Sequence, residues 1–436
     1  MGAARVRELA GPPPRDRYVT VAPPSPEALR LAARAAPAPP AGLGGALLYL
    51  PDAGALQLAA RSVAGRTLTV RSLVSALRAG APIIAVPANL RNTAVERALA
   101  RMPALAAAVR WLEPGSLLPA GPPDQPWLLV PAASLVQAPI LQNLIAPGAP
   151  PQGAVLAASA AGHAPVAVLP RAAVGALWSR LAAGTPVGPN LARLLRNGGA
   201  QLRESTGLFV AVSDEPARVR AEEALFGALG IEADTGVDRY FHRRCSRWIT
   251  RLLVGTPVTP NRVSIASLAI GSLAIWCFWR ATPLSAVWGV ILYAIATIVD
   301  HVDGEIARLT FRESRFGTHL DWAIDTIIHS GLVLGMAVTA GGQLMQLVGL
   351  FSTLGVTLSA LFARYLPLEI TVGADSGMML KVLGSRDLFY VLLLSFVVFR
   401  WLVPSLLHPL AVVVAVGSQA YWIACLARIC QSRPGR

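Results

Sequence analysis

The sequence predicts a two-part fold, an α/β domain followed by an all-α bundle of six transmembrane helices. At 436 residues the chain is longer than one ordinary domain. Hydrophobic residues make up 54% of it and charged residues only 14%, which is typical of a membrane protein or of a soluble domain joined to one. Short apolar runs alternate with helical patterns in the first half, whereas bilayer-length apolar stretches fill the second.

The formal charge of +14 comes almost entirely from arginine, and Lys381 is the only lysine. No arginine stripe is interleaved with aromatic residues, so the sequence disfavours a nucleic-acid partner. An anionic membrane surface explains the basic charge better. The four cysteines form no C-x-x-C pair, which disfavours a zinc site or a disulfide framework.

Residues 1–42, rich in Pro, Ala and Arg, are predicted to be a flexible tail. Residues 43–237 are predicted to form an α/β domain with a largely parallel sheet, because strand-like and helix-like patterns alternate. The predicted strands are ALLYL (46–50), PIIAVP (82–87), AVRWL (108–112), WLLVP (127–131), VAVLP (166–170) and LFVAV (208–212). The predicted helices are TVRSLVSALRAG (69–80), NTAVERALARM (92–102) and EPARVRAEEALFGALG (215–230).

Residues 238–257 are predicted to contain an interfacial amphipathic helix. The stretch DRYFHRRCSRWITRLL places Phe241, Trp248, Ile249 and Leu252 among several arginines. This pattern is typical of a helix that lies on lipid headgroups. The alternative is an ordinary linker helix packed on the first domain.

Residues 258–436 are predicted to form the transmembrane domain. Six apolar stretches have bilayer length: 262–281, 283–303, 318–340, 343–364, 386–403 and 406–428. Basic residues concentrate between the second and third stretches, between the fourth and fifth, and after the sixth. The positive-inside rule then places both termini and the segment between the second and third stretches in the cytoplasm, in a cell inner or plasma membrane. The N-terminus also lacks the apolar core of a signal peptide.

The segment DHVDGEIARLTFRESRFGTHLDWAID places four aspartates at the edge of the predicted membrane. Asp300 and Asp303 share one face of a helix, and Gly317, Asp321 and Asp325 share one face of the next. A short turn would bring these carboxylates into one cleft, where their mutual repulsion favours one or two bound divalent cations. Mg²⁺ or Mn²⁺ fits best, since these hard ions take oxygen ligands and share them with phosphates.

Small residues accompany the aspartates. Gly304, Ala307 and Gly317 leave room for a flat ligand against the backbone, and Arg308 can pair with a phosphate. The alternative is an intramembrane ion network or a proton or cation pathway. That alternative explains the acids but not the small residues and the arginine in register with them. The flanking His301, His319 and His329 are expected to be packing residues or to lie outside the ligand set.

This segment resembles the signature of the CDP-alcohol phosphatidyltransferases, or CDP-alcohol phosphotransferases, D-x-x-D-G-x-x-A-R-x(8)-G-x(3)-D-x(3)-D. Every fixed position matches, and TPNRVS (259–264) is similar to the family's T-P-N entry to its first membrane helix. The resemblance covers roughly residues 240–430. It implies an enzyme that transfers a phospho-alcohol group from a CDP-alcohol to an acceptor hydroxyl and releases CMP.

The resemblance also implies roles for single residues. The implied ligands of two Mg²⁺ or Mn²⁺ ions are Asp300, Asp303, Asp321 and Asp325. The implied ligands of the cytidine diphosphate are Gly304, Ala307, Arg308 and Gly317. Asp325 would be a shared ligand or the general base that accepts the proton of the acceptor hydroxyl. Lys381 and Arg386, in KVLGSRD, are predicted to bind an acceptor phosphate, with positive-inside anchors as the alternative.

The first domain resembles the sugar-nucleotidyltransferase-like half of a known fusion, the bifunctional inositol-phosphate cytidylyltransferase / di-inositol-phosphate-phosphate synthase. It departs from an active nucleotidyltransferase at two places. LPDAGALQLAAR lacks a Gly-rich loop with a basic residue, and WLLVPAASLVQ lacks a carboxylate for the metal. Asp214, in VSDEP, is better explained as a helix N-cap. The domain is therefore predicted to be inactive and to serve as a scaffold, in dimerisation, or as a shield over the site.

The substrates stay open at this point. The donor is expected to be CDP-diacylglycerol, with inositol phosphate or glycerol phosphate as acceptor, or CDP-inositol, with an inositol-type or lipid acceptor. The family resemblance also allows a homodimer. The alternative function is a non-catalytic membrane scaffold or transporter-like protein that keeps the bundle, and the intact set of four aspartates argues against it.

Overall fold

The computed structural model describes residues 42–122, 124–145, 155–157, 166–182, 201–203, 207–230, 236–280, 282–365 and 385–432. The predicted tail lies outside these residues except for its last position. Lys381 also lies outside them.

A mixed sheet forms the centre of the first domain. The strands of this part are β1 (Gly45–Tyr49), β2 (Ser62–Val63), β3 (Arg66–Thr67), β4 (Ile84–Pro87), β5 (Val109–Leu112), β6 (Trp127–Pro131), β7 (Ser134–Val136), β8 (Val155–Ala157), β9 (Ala167–Leu169), β10 (Gln201–Arg203) and β11 (Phe209–Ala211). Among the described residues, seven of them form one sheet in the order β10-β8-β9-β6-β1-β4-β5. The pairs from β6 to β5 and the pair β8–β10 are parallel, whereas β9 is antiparallel to both neighbours.

The central strands are buried along their whole length. β1 and β6 read GALLY and WLLVP, and every residue of both is buried. A parallel strand covered on both faces requires such an uninterrupted apolar run. The predicted α/β domain with a largely parallel sheet is confirmed in these central strands. The predicted strand LFVAV differs, because β11 pairs with β7 in a separate antiparallel ribbon and is only partly buried.

Helices accompany the sheet, and three of them begin at a polar residue whose side chain caps the helix. They are α1 (Gly54–Ala59), α2 (Leu68–Arg78), α3 (Thr93–Arg101), α4 (Pro103–Ala108), α5 (Ala138–Ile145), α6 (Arg171–Ala182) and α7 (Glu215–Gly227). The three helices predicted in this domain correspond to α2, α3 and α7. The Asp214 carboxylate accepts a hydrogen bond of 2.7 Å from the Ala217 amide, which confirms the predicted N-cap of α7.

The second half of the chain is helical. After one π-helical turn at Asp238–His242 come α8 (Arg243–Leu253), α9 (Pro260–Trp279), α10 (Pro283–Thr310), α11 (Arg315–Ala340), α12 (Gln343–Tyr365), α13 (Arg386–Leu402) and α14 (Leu407–Ser432). Five segments among the described residues are long and apolar enough to cross a membrane: 260–279, 283–310, 315–340, 343–365 and 404–424. α13, predicted as a further span, has 17 residues and is about 25 Å long at 1.5 Å per residue. These helices mark the chain as an integral membrane protein.

Helices α9 and α11 approach each other closely where glycines face large side chains. A Cβ added to Gly331 would lie 2.5 Å from the Cδ1 atom of Ile275, and one added to Gly271 would collide with Ile328. Small residues at such positions let membrane helices pack with their backbones near each other. This packing fixes α9 against α11, which carry two parts of the site described below.

Helix α8 presents an exposed apolar face, with Trp248 and Leu252 both more than half exposed. Its contact with lipid headgroups stays a prediction. The alternative, a linker helix packed on the first domain, is partly supported, because the Arg251 guanidinium lies 5.0 Å from the centre of the Phe226 ring. The opposite face of α8 contacts α10.

A buried carboxylate joins α8 to α10. Glu305 is fully buried, and its oxygens accept hydrogen bonds from Arg243 (3.2 Å), Ser246 (2.8 Å) and Thr250 (2.6 Å). Three donors compensate the charge that burial would otherwise penalise. Glu305 stands at a variable position of the signature, so the sequence pattern gave it no role.

We expect Glu305→Ala to lower the free energy of unfolding by about 3 kcal/mol, because it leaves the buried cation of the pair without this carboxylate. Denaturant titration in one fixed detergent measures the change. The control is Glu96→Ala, which removes the exposed pair Arg91–Glu96 at 2.9 Å and should cost less than about 1 kcal/mol. Equal losses in the two variants would contradict the special role of the buried pair.

Candidate active site

A short turn joins the two helices that carry the aspartates. α10 ends at Thr310 and is followed by Phe311, which adopts a left-handed backbone conformation with φ of 57°. α11 starts after Ser314, whose hydroxyl accepts a hydrogen bond of 2.9 Å from the Gly317 amide. Residues 311–314 therefore separate the two helices, and such short connections make neighbouring helices antiparallel.

Three carboxylates meet where α10 faces α11. Asp300, Asp303 and Asp321 can each place one oxygen within 4.8 Å of the others. Asp300 and Asp303 are buried, and Asp321 is partly buried. Buried carboxylates this close repel one another unless a cation compensates them. Three oxygen donors from side chains suit Mg²⁺ or Mn²⁺, so the residues present fit a metal of this kind.

The fourth aspartate lies beside this group rather than within it. The Oδ2 atom of Asp325 accepts a hydrogen bond of 3.4 Å from Nη2 of Arg386, and the same Nη2 lies 3.2 Å from Oδ2 of Asp300. The Asp325 side chain is 40% exposed, so a ligand can reach it. Its role as a shared metal ligand stays a prediction.

The TPNRVS motif contributes a hydroxyl to the cleft. α9 begins at Pro260, and the Oγ atom of Ser264, one turn into the helix, donates a hydrogen bond to Asp303. The motif carries part of the family resemblance, but no role was predicted for Ser264. A serine one turn into the helix after T-P-N was the available signal.

Arg308 lies over the backbone of its own helix. A Cβ added to Gly304 would be 3.2 Å from Nη1 of Arg308, and one added to Gly317 would be 3.5 Å from Oδ1 of Asn261. Ala307 is partly buried on the same helix. No hydrogen bond or ion pair of the Arg308 guanidinium occurs within the described part of the chain. The cytidine diphosphate site at these residues stays a prediction.

A second polar network adjoins the carboxylates. The Oδ1 atom of Asp238 lies 2.8 Å from Nδ1 of His242, 3.1 Å from Nε2 of His301 and 3.6 Å from Nη1 of Arg386. Burial raises the pKa of Asp238, but hydrogen bonds from both histidines and the charge of Arg386 outweigh burial and hold its pKa well below the ordinary value. Asp238 is therefore an ionised buried carboxylate.

The donor atoms of Asp238, His242 and His301 also lie within 4.8 Å of one another. The Nη1 atom of Arg386 is only 3.1 Å from Nε2 of His301. A fixed guanidinium charge at this distance disfavours a cation there. We therefore interpret this group as the support of Arg386 and not as a metal centre.

The junction between the two halves of the chain, residues 236–242, is hydrogen-bonded to the start of α13. Asp387 accepts hydrogen bonds from the amides of Gly236 (3.0 Å) and Val237 (3.1 Å). The Tyr390 hydroxyl lies 2.9 Å from Nε2 of His242. The first turn of α13 thus places Arg386 in the cleft and binds the junction at two further points.

The remaining histidines differ in their surroundings. His329 connects the Tyr293 hydroxyl (3.0 Å) to the backbone carbonyl of Asp325 (2.7 Å), so it supports the helix that carries that aspartate. His319 lies 2.9 Å from Arg364 at the exposed end of α11. Asp238 was not predicted as a site residue, because its local signal in the sequence is only a histidine four residues later.

Comparison with known proteins agrees with this geometry. Residues 257–418, which contain the whole signature, match the family model described as CDP-alcohol phosphatidyltransferase. The chain is 30% identical over 123 residues to the bifunctional IPC transferase and DIPP synthase of Thermococcus kodakarensis, covering 28% of this chain and 27% of that protein. It is 34% identical over 137 residues to the protein of the same name from Rubrobacter xylanophilus, covering 31% of each.

A third relative is the archaetidylinositol phosphate synthase of Pyrococcus horikoshii, 33% identical over 90 residues, which are 21% of this chain and 46% of that protein. The chain thus spans less than half the length of these curated relatives. The C-terminal half of the chain, at residues 257–418, carries a domain of the CDP-alcohol phosphatidyltransferase family.

Proposed function

We propose that this protein transfers a phospho-alcohol group from a CDP-alcohol to an acceptor hydroxyl at the membrane and releases CMP. The observation that carries the proposal is the convergence of Asp300, Asp303 and Asp321 on one point. Arg308, on the same helix as two of them, is available to a ligand. The family match of residues 257–418 supports the same reaction class.

Each side chain then has a chemical task. Asp300, Asp303 and Asp321 would hold Mg²⁺ or Mn²⁺, which would neutralise the charge of the diphosphate and of the departing CMP. Arg308 would donate hydrogen bonds to the diphosphate. Asp325, within reach of a ligand, would accept the proton of the acceptor hydroxyl as that oxygen attacks phosphorus in line.

The names of the relatives favour inositol chemistry. The donor would be CDP-diacylglycerol or CDP-inositol, and the acceptor inositol phosphate or glycerol phosphate. Arg386 is the described cation nearest to Asp325 in the cleft and would bind an anionic acceptor. The site would face the cytoplasm, as the distribution of basic residues indicates.

We propose that the first domain has no nucleotidyltransferase activity of its own. Asp52, the first carboxylate after β1, accepts a hydrogen bond of 2.8 Å from the Ala55 amide and so serves as a local cap. The residues that follow β6 are Ala132 and Ala133, both buried. The end of β6 therefore offers no carboxylate to a metal, and the carboxylate after β1 already caps a helix.

The test is CMP release by the purified full-length chain in lipid, with Mg²⁺ or Mn²⁺ and each donor crossed with a panel of acceptors. We expect CMP from one donor–acceptor pair only. Asp325→Asn should slow the release at least about 100-fold, the usual contribution of a general base. The matched control is Asp52→Asn, since asparagine also caps a helix, and it should retain wild-type activity.

Two results would count against the proposal. Undiminished release by Asp325→Asn would remove Asp325 from the chemistry. An absence of CMP with every pair, together with an absence of metal-dependent CDP-alcohol binding, would contradict the reaction class.

A further inference from the structure

The end of the first aspartate-bearing helix and the turn that follows it pack against the first domain. Leu309, the penultimate residue of α10, is 1% exposed and packs in one apolar cluster with Val63, Leu68 and Leu225 of that domain. Phe311, at the turn, packs against the cluster that covers the sheet. The end of α10 therefore packs against apolar clusters of the first domain.

Two arginines of the first domain bind the carboxyl end of α10. Arg71, buried in α2, donates a hydrogen bond of 3.0 Å from Nη2 to the carbonyl of Leu309. Arg66, in β3, donates from Nε (3.1 Å) and Nη2 (3.0 Å) to the carbonyl of Thr310. The last carbonyls of a helix have no partner within it, and a cation at this end also matches the helix dipole.

Arg71 is itself held in place by its own domain. Its Nε and Nη2 atoms also donate to the Val63 carbonyl (2.9 and 2.8 Å), and Nη2 donates to the Ala64 carbonyl (2.9 Å). Burial, together with the charge of Arg66, lowers the pKa of Arg71 to about 9, which leaves it charged at neutral pH. The donor that meets α10 is thus rigid.

Arginines of the first domain also contact the residues that follow α10. The guanidinium carbons of Arg71 and Arg78 lie 5.4 and 5.1 Å from the centre of the Phe311 ring. Arg78 also bonds the carboxylate of Glu313 at 3.0 Å. The first domain therefore contacts this turn at Leu309, Phe311 and Glu313 as well as at Thr310.

We infer that Arg66 and Arg71 are positioning residues, through which the first domain fixes the spacing between the aspartates of α10 and Asp321 of α11. The inference rests on the proposed function. Asp303 lies six residues before Leu309 on the same helix, about 9 Å along its axis. A rigid helix transmits a shift of its end to these carboxylates, and displacements of about 1 Å can cost 100-fold in rate. The first domain would then be required for the transfer reaction although it performs no chemistry itself.

The test uses Arg66→Gln and Arg71→Gln in the full-length chain, with Arg91→Gln, from an exposed ion pair of the same domain, as the control. We expect Arg66→Gln to lower kcat roughly tenfold and to weaken Mn²⁺ binding roughly tenfold, the range expected for losing a charge-assisted hydrogen bond. Arg66→Lys, which keeps a cationic donor, should recover most of both. Mn²⁺ binding is measured by calorimetry, independently of turnover.

The two readouts separate this inference from the proposed function. A wild-type chain that binds Mn²⁺ but releases no CMP would defeat the proposed reaction, while the effect of Arg66→Gln on Mn²⁺ affinity would still decide the inference. Variants with wild-type Mn²⁺ affinity and kcat in their folded fraction, and only a lower melting temperature, would overturn it. We expect Arg71→Gln to lower kcat and Mn²⁺ affinity as well. If Arg71→Gln does not fold, the result for Arg66→Gln alone decides the inference. A wild-type chain without Mn²⁺ affinity would overturn both proposals.

Discussion

Asp321→Asn is expected to reduce metal-dependent CMP release by about 10³-fold, because it removes one ligand of a charge-neutralising metal. Asp321 is the carboxylate that α11 adds to the two on α10. Asparagine has the same shape but carries no charge, so the variant tests charge at this point and not packing. Two buried aspartates on one helix would remain, with a weaker site for the cation.

Calorimetry with Mn²⁺ and the CMP assay measure the two consequences separately. Asp214→Asn is a matched control, because asparagine can replace the aspartate that caps α7, and it should leave metal affinity and rate unchanged. Wild-type Mn²⁺ affinity in Asp321→Asn would show that the three carboxylates do not form a metal site.

Helix periodicity made this part of the site predictable. Asp300 and Asp303 are one turn apart, and Asp321 follows a turn too short to allow anything but antiparallel helices. Their convergence follows from local rules alone. The cap of α7 was predictable for the same reason, since Asp214 and the Ala217 amide lie within four residues of chain.

Contacts between distant segments could not be predicted in this way. Asp238 and His301 are 63 residues apart, His242 and Tyr390 are 148 apart, and Arg71 and Leu309 are 238 apart. No periodic pattern connects such positions, and one sequence gives no measure of which distant residues meet. Arg386 was therefore predicted to bind an acceptor phosphate, whereas the carboxylates around it were not predicted.

Arg386→Gln is expected to raise the KM for an anionic acceptor about 10- to 100-fold, which corresponds to 1.5–3 kcal/mol for a hydrogen bond to a charged group. The guanidinium lies between Asp300 at 3.2 Å, Asp325 at 3.4 Å and Asp238 at 3.6 Å. Metal bound at the neighbouring aspartates would compete for Asp300 and leave the guanidinium available to an acceptor phosphate. The KM for the CDP-alcohol should change little.

Asp238→Asn is also expected to raise the KM for the acceptor, by a smaller factor than Arg386→Gln. It keeps Arg386 but removes the buried negative charge that orients it from the junction side. If Asp238 acts only through Arg386, the double variant should be no worse than Arg386→Gln alone, because residues that act as one unit are not additive. Tyr390→Phe, which removes a hydroxyl 2.9 Å from Nε2 of His242, should change acceptor KM least.

The acceptor's own charge decides between two roles for Arg386. A phosphorylated acceptor and its unphosphorylated analogue should respond differently to Arg386→Gln if the guanidinium binds the phosphate, since only the first loses an ion pair. Equal losses for both acceptors would mean that Arg386 compensates Asp300 and Asp325 and does not contact the acceptor. The predicted acceptor site would then have to lie elsewhere, and Asp238 would support the metal site through its effect on Arg386.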